Sequence, residues 1–134
     1  MQGQPRILIA DDDRALLTAI TARMKAAGFE VRVAEDCYQA VQVANRWQPD
    51  VVVLDVRMPA GDGFSVQDRI ASIRSGRMRR TPIIFLTGER SARIEAMASS
   101  GKAFAVLHKP CRSEELIDTV EAALRESRDT IVIG

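Results

Sequence analysis

The sequence predicts an α/β domain: a doubly wound parallel sheet with helices on both faces. Three observations predict it. Short apolar, β-branched runs alternate five times with stretches of helical periodicity, the order expected of parallel strands joined by right-handed crossovers. The run Val51-Val52-Val53-Leu54 has no polar alternation, as a strand buried on both faces requires. The polar residues that end these runs are Asp11-Asp12-Asp13, Asp55, Thr87 and Lys109, and in a parallel sheet the strand ends share one rim.

The elements follow in order. Arg6 to Ala10 is a first buried strand that stops at the three aspartates. Leu16, Ile20 and Met24 then recur every four residues, with Leu17 and Ala27 beside them, so a helix begins with Asp13 as its N-cap and closes at Gly28. Glu30 to Ala34 alternates charged and apolar residues and suits a strand near the sheet edge. Asp36 can cap a second helix, with Gln39 three residues on as its capping-box partner. That helix carries Ala40, Val41, Val43 and Ala44 and ends before Pro49; Trp47, near its end, is expected to pack half-buried.

After the central strand, Met58-Pro59 and Gly61-Asp62-Gly63 turn the chain into a third helix from Phe64 to Ser75, ended by Gly76. Phe64, Val66, Ile70 and Ile73 are spaced for its inner face. Pro82 to Leu86 is a fourth strand, Ser91 to Ser100 a fourth helix ended by Gly101, and Phe104 to Leu107 a fifth strand. The last helix runs from Glu114 to Glu126, with Leu116, Ile117, Val120 and Leu124 inside, Ser113 as cap, and Glu114 and Glu115 complementing its positive end.

Composition narrows the function. The 134 residues carry a net charge of +1, with sixteen arginines against three lysines, and no overall field directs the chain to nucleic acid or membrane. Cys37 and Cys111 lie far apart, and with a single histidine, His108, they make no zinc-spaced set. No signal peptide or membrane span is evident, so the cytoplasm, with both thiols reduced, is the expected compartment. Arg74, Arg77, Arg79 and Arg80 form a basic run without an aromatic, read as a solvated loop. His108 is read as a surface or edge residue, pointed away from Lys109 by strand alternation.

The rim is where the chemistry gathers. Carboxylates from two strand ends repel one another, so one holds a proton or a cation binds. A hard cation with oxygen ligands and retained waters, Mg²⁺ above all, suits two or three carboxylates. Lys109 supplies a point charge for an oxyanion, Thr87 a hydroxyl donor, and Gly88 no side chain to keep a ligand from the backbone N–H groups. Such a set can hold a phosphoryl group and take it onto a carboxylate.

Read together, Ile-Leu-Ile-Ala-Asp11-Asp12-Asp13, Leu54-Asp55-Val56-Arg57-Met58-Pro59 with Asp62-Gly63, Phe85-Leu86-Thr87-Gly88 and Lys109-Pro110 resemble the receiver domain of two-component response regulators, over residues 5 to 127. The resemblance implies a flavodoxin-like (βα)5 fold with strand order 2-1-3-4-5. It implies a receiver over residues 1–127, with 128–134 a C-terminal tail or the start of a linker. It makes Asp55 the phosphoacceptor, Asp12 a direct ligand of Mg²⁺, Asp11 a ligand largely through water, and Asp55 and the carbonyl of Arg57 the rest of the protein's metal shell. Thr87 and Lys109 would hold the phosphoryl group, with the backbone at Val56 and Gly88 against it, and the Lys109–Pro110 peptide would be cis.

The implied donor is a histidine kinase or a histidine phosphotransfer protein. The domain would be no enzyme in its own right, although it assists its own phosphorylation and dephosphorylation. It would switch a surface around strand 5 and helices 4 and 5. A receiver homodimer is an open arrangement, and the output domain or target is not given. Neither membrane nor direct nucleic-acid binding by this domain is implied. Two departures stand out: the family usually has Tyr or Phe three residues before the lysine, where this chain has Val106, and commonly Phe after Lys-Pro, where it has Cys111. Arg57 and Glu89 flank the site and are expected to tune phosphoryl lifetime. The competing readings are a Mg²⁺-dependent phosphohydrolase with an aspartyl-phosphate intermediate and a constitutive interaction module.

Overall fold

The fold was analysed in a computed structural model, which describes residues 3–73 and 81–133, with side chains described for 3–70 and 81–127. Strands β1 (Arg6–Ala10), β2 (Glu30–Ala34), β3 (Val51–Leu54), β6 (Ile83–Thr87) and β7 (Ala105–His108) form one sheet in the order β2-β1-β3-β6-β7, every pair parallel. Counting only these five, the order is the expected 2-1-3-4-5. Strands β4 (Arg57–Met58) and β5 (Gly61–Asp62) form a small antiparallel hairpin where the sequence suggested only a turn. The helices are α1 (Arg14–Ala26), α2 (Cys37–Trp47), α3 (Gly63–Ile73), α4 (Ala92–Ser100) and α5 (Ser113–Ile133).

Alternation along the strands divides the core into two. Ile7, Ile9, Val51, Val53, Ile84 and Leu86 pack with Leu17, Ile20 and Met24 of α1 and with Leu116, Val120 and Leu124 of α5. Leu8, Val52, Leu54, Ile83 and Phe85 pack on the other face with Ala40, Val41 and Ala44 of α2, Val66 and Ile70 of α3, and Ile94 of α4. Each fully buried Val, Leu, Ile, Phe or Met side chain contributes about 1.5–3 kcal/mol, so helices on both faces are what the unbroken apolar run in β3 demands.

Local signals act as expected at several ends. The Asp13 carboxylate accepts from Leu16 N (3.1 Å), and Gly28 follows α1 with φ +99°. Asp36 accepts from Gln39 N (2.8 Å), but the Gln39 side chain reaches Glu35 N (2.9 Å) and not Asp36 N, so the capping box closes one residue early. Gly101 ends α4 in the left-handed region, whereas Ser91, expected as its first residue, is its N-cap.

Other expectations need correcting. Trp47 is more than half-buried: 6% of it is exposed, beneath the guanidinium groups of Arg6 and Arg32, 5.5 and 4.8 Å from its ring. Ser113 is the first residue of α5, not its cap, and Leu116 N donates to Arg112 O. Helix α5 continues to Ile133, seven residues past the expected Glu126 (133 − 126), because nothing in the intervening sequence breaks a helix. The fourth and fifth strands each begin and end one residue later than expected, and Thr87 still pairs with His108. Phe104 precedes β7 and packs with the α1/α5 cluster, whereas Val106 packs with the α2/α3/α4 cluster; the two do not share a face. Gly76, the end of the third helix and the arginines 74, 77, 79 and 80 lie outside the described residues, as does the side chain of Ile73. Among the described residues no helix is long and apolar enough to cross a membrane.

Candidate functional site

The parallel sheet carries the ends of β1, β3, β6 and β7 to one rim, and the predicted polar residues meet there. Asp11 follows β1 and is 2% exposed; Asp55 follows β3 and is 6% exposed. The backbone fixes both: Asp11 N donates to Ala34 O (3.0 Å) and Asp55 N to Ala10 O (2.9 Å), so each residue is held by the neighbouring strand. Their side chains are tethered as well, Asp11 Oδ1 accepting from Asp13 N (2.9 Å) and Asp55 Oδ1 from Arg57 N (3.2 Å). Asp12 is exposed, and one carboxylate oxygen from each of Asp11, Asp12 and Asp55 lies within 4.8 Å of the others.

Lys109, at the end of β7, completes the group. Its Nζ lies 2.7 Å from Asp11 Oδ2 and 3.0 Å from Asp55 Oδ2. The Lys109–Pro110 peptide is cis, as the resemblance implied, and Lys109 N donates to Thr87 O (2.9 Å). Burial pushes the Asp11 carboxyl up, and the bonds from Lys109 and Asp13 recover only part of that. Burial works against the Lys109 ammonium too, but its bonds to Asp11 and Asp55 outweigh it and the net direction is up. Lys109 is therefore charged, and its one ammonium is shared between two carboxyl groups. Three carboxylates against one ammonium leave two negative charges, which is the charge a divalent cation offsets.

Thr87 is 1% exposed, and its hydroxyl oxygen accepts from Glu89 N (3.0 Å). Gly88 has open space where a Cβ would point, which leaves its backbone accessible. Val56 is fully buried, and its carbonyl accepts from Gly63 N (2.8 Å). That contact is why residue 63 is glycine: a Cβ there would lie 2.5 Å from the Asp55 carbonyl oxygen and 3.1 Å from Val56 Cα. His108, on the edge strand, has a buried Nδ1 without a hydrogen-bond partner among the described residues. Cys111 donates weakly to Glu115 and Arg112, and burial, with Glu115 beside it, pushes its thiol up to about 11, as befits an inert packing residue.

Arg93 is not among the residues that the strand ends point to. It lies in the first turn of α4 and grips the buried side chain of Glu89 with Nε and Nη2 (2.6 and 2.8 Å), while Nη1 reaches Asp62 (3.1 Å) and the guanidinium stacks 5.1 Å from Phe64. Arg57 and Ser91 bind Glu89 too, at 3.0 and 2.6 Å. Bonds from Arg93 and Ser91 chiefly hold the Glu89 carboxyl well below the usual range. The spacing of Glu89 and Arg93 at i,i+4 is the one signal in the sequence that could have found this cluster.

Comparison with known proteins gives the family and the fold. A model of the response regulator receiver domain matches residues 7–121. The DNA-binding dual master transcriptional regulator RpaA of Synechocystis sp. is 34% identical over 125 residues, 92% of this chain and 50% of that protein. The transcriptional regulatory protein PrrA of Mycobacterium tuberculosis is 31% identical over 137 residues, 97% of this chain and 57% of that protein. The chain thus spans about half the length of the curated relatives it matches. Among solved structures, the chemotaxis response regulator CheY4 of Vibrio cholerae superposes with a TM-score of 0.80 at 29% identity, over 90% of this chain and 99% of that one. A CheY-like receiver domain protein of Methanospirillum hungatei JF-1 reaches 0.87 at 22% identity, over 96% and 99% of the two chains, and bears on the fold alone. The chain belongs to the receiver domains of two-component response regulators, a family of signalling domains.

Proposed function

We propose that Asp55 accepts a phosphoryl group from a histidine kinase or a histidine phosphotransfer protein in a Mg²⁺-dependent reaction. The observation that carries this reading is the single ammonium of Lys109 shared between Asp11 and Asp55, with Asp12 beside them. The donor set fits a hard divalent cation: hard oxygen ligands, one member exposed enough to leave room for waters, and two negative charges unbalanced. Asp12, Asp55 and the Arg57 carbonyl would hold Mg²⁺ directly and Asp11 largely through water. When bound, the ion neutralises charge on the transferring oxygens.

The chain's own residues do the rest. A carboxylate oxygen of Asp55 forms a bond to phosphorus as the P–N bond to the donor's imidazole breaks, and the departing nitrogen takes up a proton. Lys109 holds a phosphoryl oxygen as a point charge, the Thr87 hydroxyl donates to another, and the backbone at Val56 and Gly88 lies against the group. Phosphorylation adds a charge of about −1.5 to −2 and a new hydrogen-bond acceptor beside Thr87. Turning Thr87 and redirecting Lys109 both act on β6 and β7, so the surface of β7, α4 and α5 is where a change of packing would be read. We assign the receiver to residues 1–127 and place it in the cytoplasm. Its partners are the phosphodonor and an output domain or target, with a second receiver as a further arrangement.

The test is incubation with Mg²⁺ and a small acyl-phosphate donor, followed by intact mass. One labile added phosphoryl group is expected, absent in Asp55→Asn and in EDTA. An adduct of equal yield in Asp55→Asn would remove the assignment.

A further inference from the structure

Arg93 joins three parts of the chain that the sheet does not join. It binds Glu89 in the β6–α4 loop and Asp62 in β5, and it stacks on Phe64 in α3. Glu89 is the hub of this clasp. Its side chain is 5% exposed and is bound by Arg57, Ser91 and Arg93 together. Its backbone N–H is at the same time the donor that engages the Thr87 hydroxyl oxygen. Only Gly88 therefore lies between the residue of the fixed carboxylate and the residue that carries the hydroxyl of the site.

We infer that Arg93 is a positioning residue that acts through Glu89 on Thr87, holding the Thr87 hydroxyl turned to the loop and thereby opposing its engagement of a phosphoryl group on Asp55. This rests on the reading of Asp55 as phosphoacceptor. The physical reason is an accounting of one donor. If the Thr87 hydroxyl turns about its Cα–Cβ bond toward Asp55, the Glu89 N–H loses its acceptor and the loop must shift to give it another. A Glu89 side chain held from three directions resists that shift. Removing its bidentate partner relaxes the resistance without touching Asp55, Thr87 or Lys109. Arg93 also holds the hairpin side of the rim through Asp62, so the restraint is anchored outside the moving loop.

The test compares wild type with Arg93→Gln, Arg93→Lys and Arg93→Gln/Glu89→Gln. The probe is beryllofluoride, a phosphoryl mimic, titrated with Mg²⁺ and followed by the amide resonances of Thr87 and Glu89. Wild type is the internal standard: no binding there would defeat the phosphoacceptor reading, not this one. Arg93→Gln should bind the mimic about three- to fivefold more tightly, the scale of one exposed ion pair released. Arg93→Lys, which keeps the charge and loses the fork, should lie between. The double variant should match Arg93→Gln, since both changes cut the same clasp. In metal-free protein the Glu89 amide should exchange faster with solvent in Arg93→Gln, a readout independent of the ion. Affinity within twofold of wild type, or weaker binding, in a variant of unchanged fold would overturn the inference.

Discussion

Two charged clusters stand side by side on the rim and are built on opposite principles. Lys109, Asp11 and Asp55 are largely withdrawn from water, with more negative than positive charge. Arg57, Glu89, Arg93 and Asp62 balance two cations with two anions, and their arginines remain 77% and 45% exposed at the side chain. The first arrangement is costly and incomplete, which suits a site that must receive a cation and a phosphoryl group. The second is satisfied, and its arginines stand in solvent around the enclosed Glu89, so it can hold geometry yet adds little to stability. Proximity to the site therefore says less about a charged residue than its burial and its charge balance do.

The largest effect expected of this contrast is at Lys109. Lys109→Met keeps the bulk of the side chain and leaves Asp11 and Asp55 facing each other without a cation. Breaking a buried pair by removing one partner costs about 3–5 kcal/mol, and Lys109 is 27% exposed, so the loss should fall at about 2–3 kcal/mol. Urea unfolding without metal should show it, and millimolar Mg²⁺ should recover most of it by binding the folded state. Equal stability of the two proteins without metal would mean that the carboxylates are not strained by their burial.

The glycines sharpen the same contrast by packing. Gly63 abuts the backbone of Asp55 and Val56, with no flexible side chain on the nearest side to give way, so Gly63→Ala should cost about 2 kcal/mol and slow phosphoryl uptake. Gly88 faces open space, and Gly88→Ala should change stability by less than about 0.5 kcal/mol. Thermal unfolding of the two variants beside wild type decides this. A larger loss at residue 88 than at residue 63 would reverse the assignment of crowded and open ground.

Much of this was legible because it is local. The caps at Asp13 and Asp36, the turn at Gly28 and the buried β3 rest on residues within a few positions of one another. The acidic site was legible because parallel topology carries distant strand ends to one rim, although Asp55 and Lys109 are 54 residues apart. Arg93 was missed for the complementary reason. Its contact with Asp62 spans 31 residues and joins the small hairpin to a helix, and no periodicity encodes such a contact. The misplaced strand ends have a simpler cause: Thr87 and His108 are polar enough to look like stops, yet the ladder between them continues. The extent of α5 was missed because a tail was expected where only the absence of a helix breaker could have been noticed.

The subtlest expected difference between the two clusters is the order in which they take up protons. Burial raises the Asp11 carboxyl above its ordinary 3.8, so without metal it should protonate while the solution is still less acidic than that. The bonds from Arg93, Ser91 and Arg57 lower Glu89 beneath its ordinary 4.5, so it should stay ionised after Asp11 has gained its proton. The stability consequences have opposite signs. A raised carboxyl favours the folded state most below 3.8, and that contribution is lost as pH climbs through its folded value. A lowered carboxyl stabilises the fold above 4.5, and that contribution is lost as pH falls through its folded value. Carboxyl-carbon NMR titration of metal-free protein should therefore show Asp11 taking up its proton before Glu89. Saturating Mg²⁺ should move Asp11 down, because a bound dication favours its charged form, and leave Glu89 where it was. A metal-free titration in which Glu89 protonates before Asp11 would show that the two clusters do not differ in charge balance as their geometry requires.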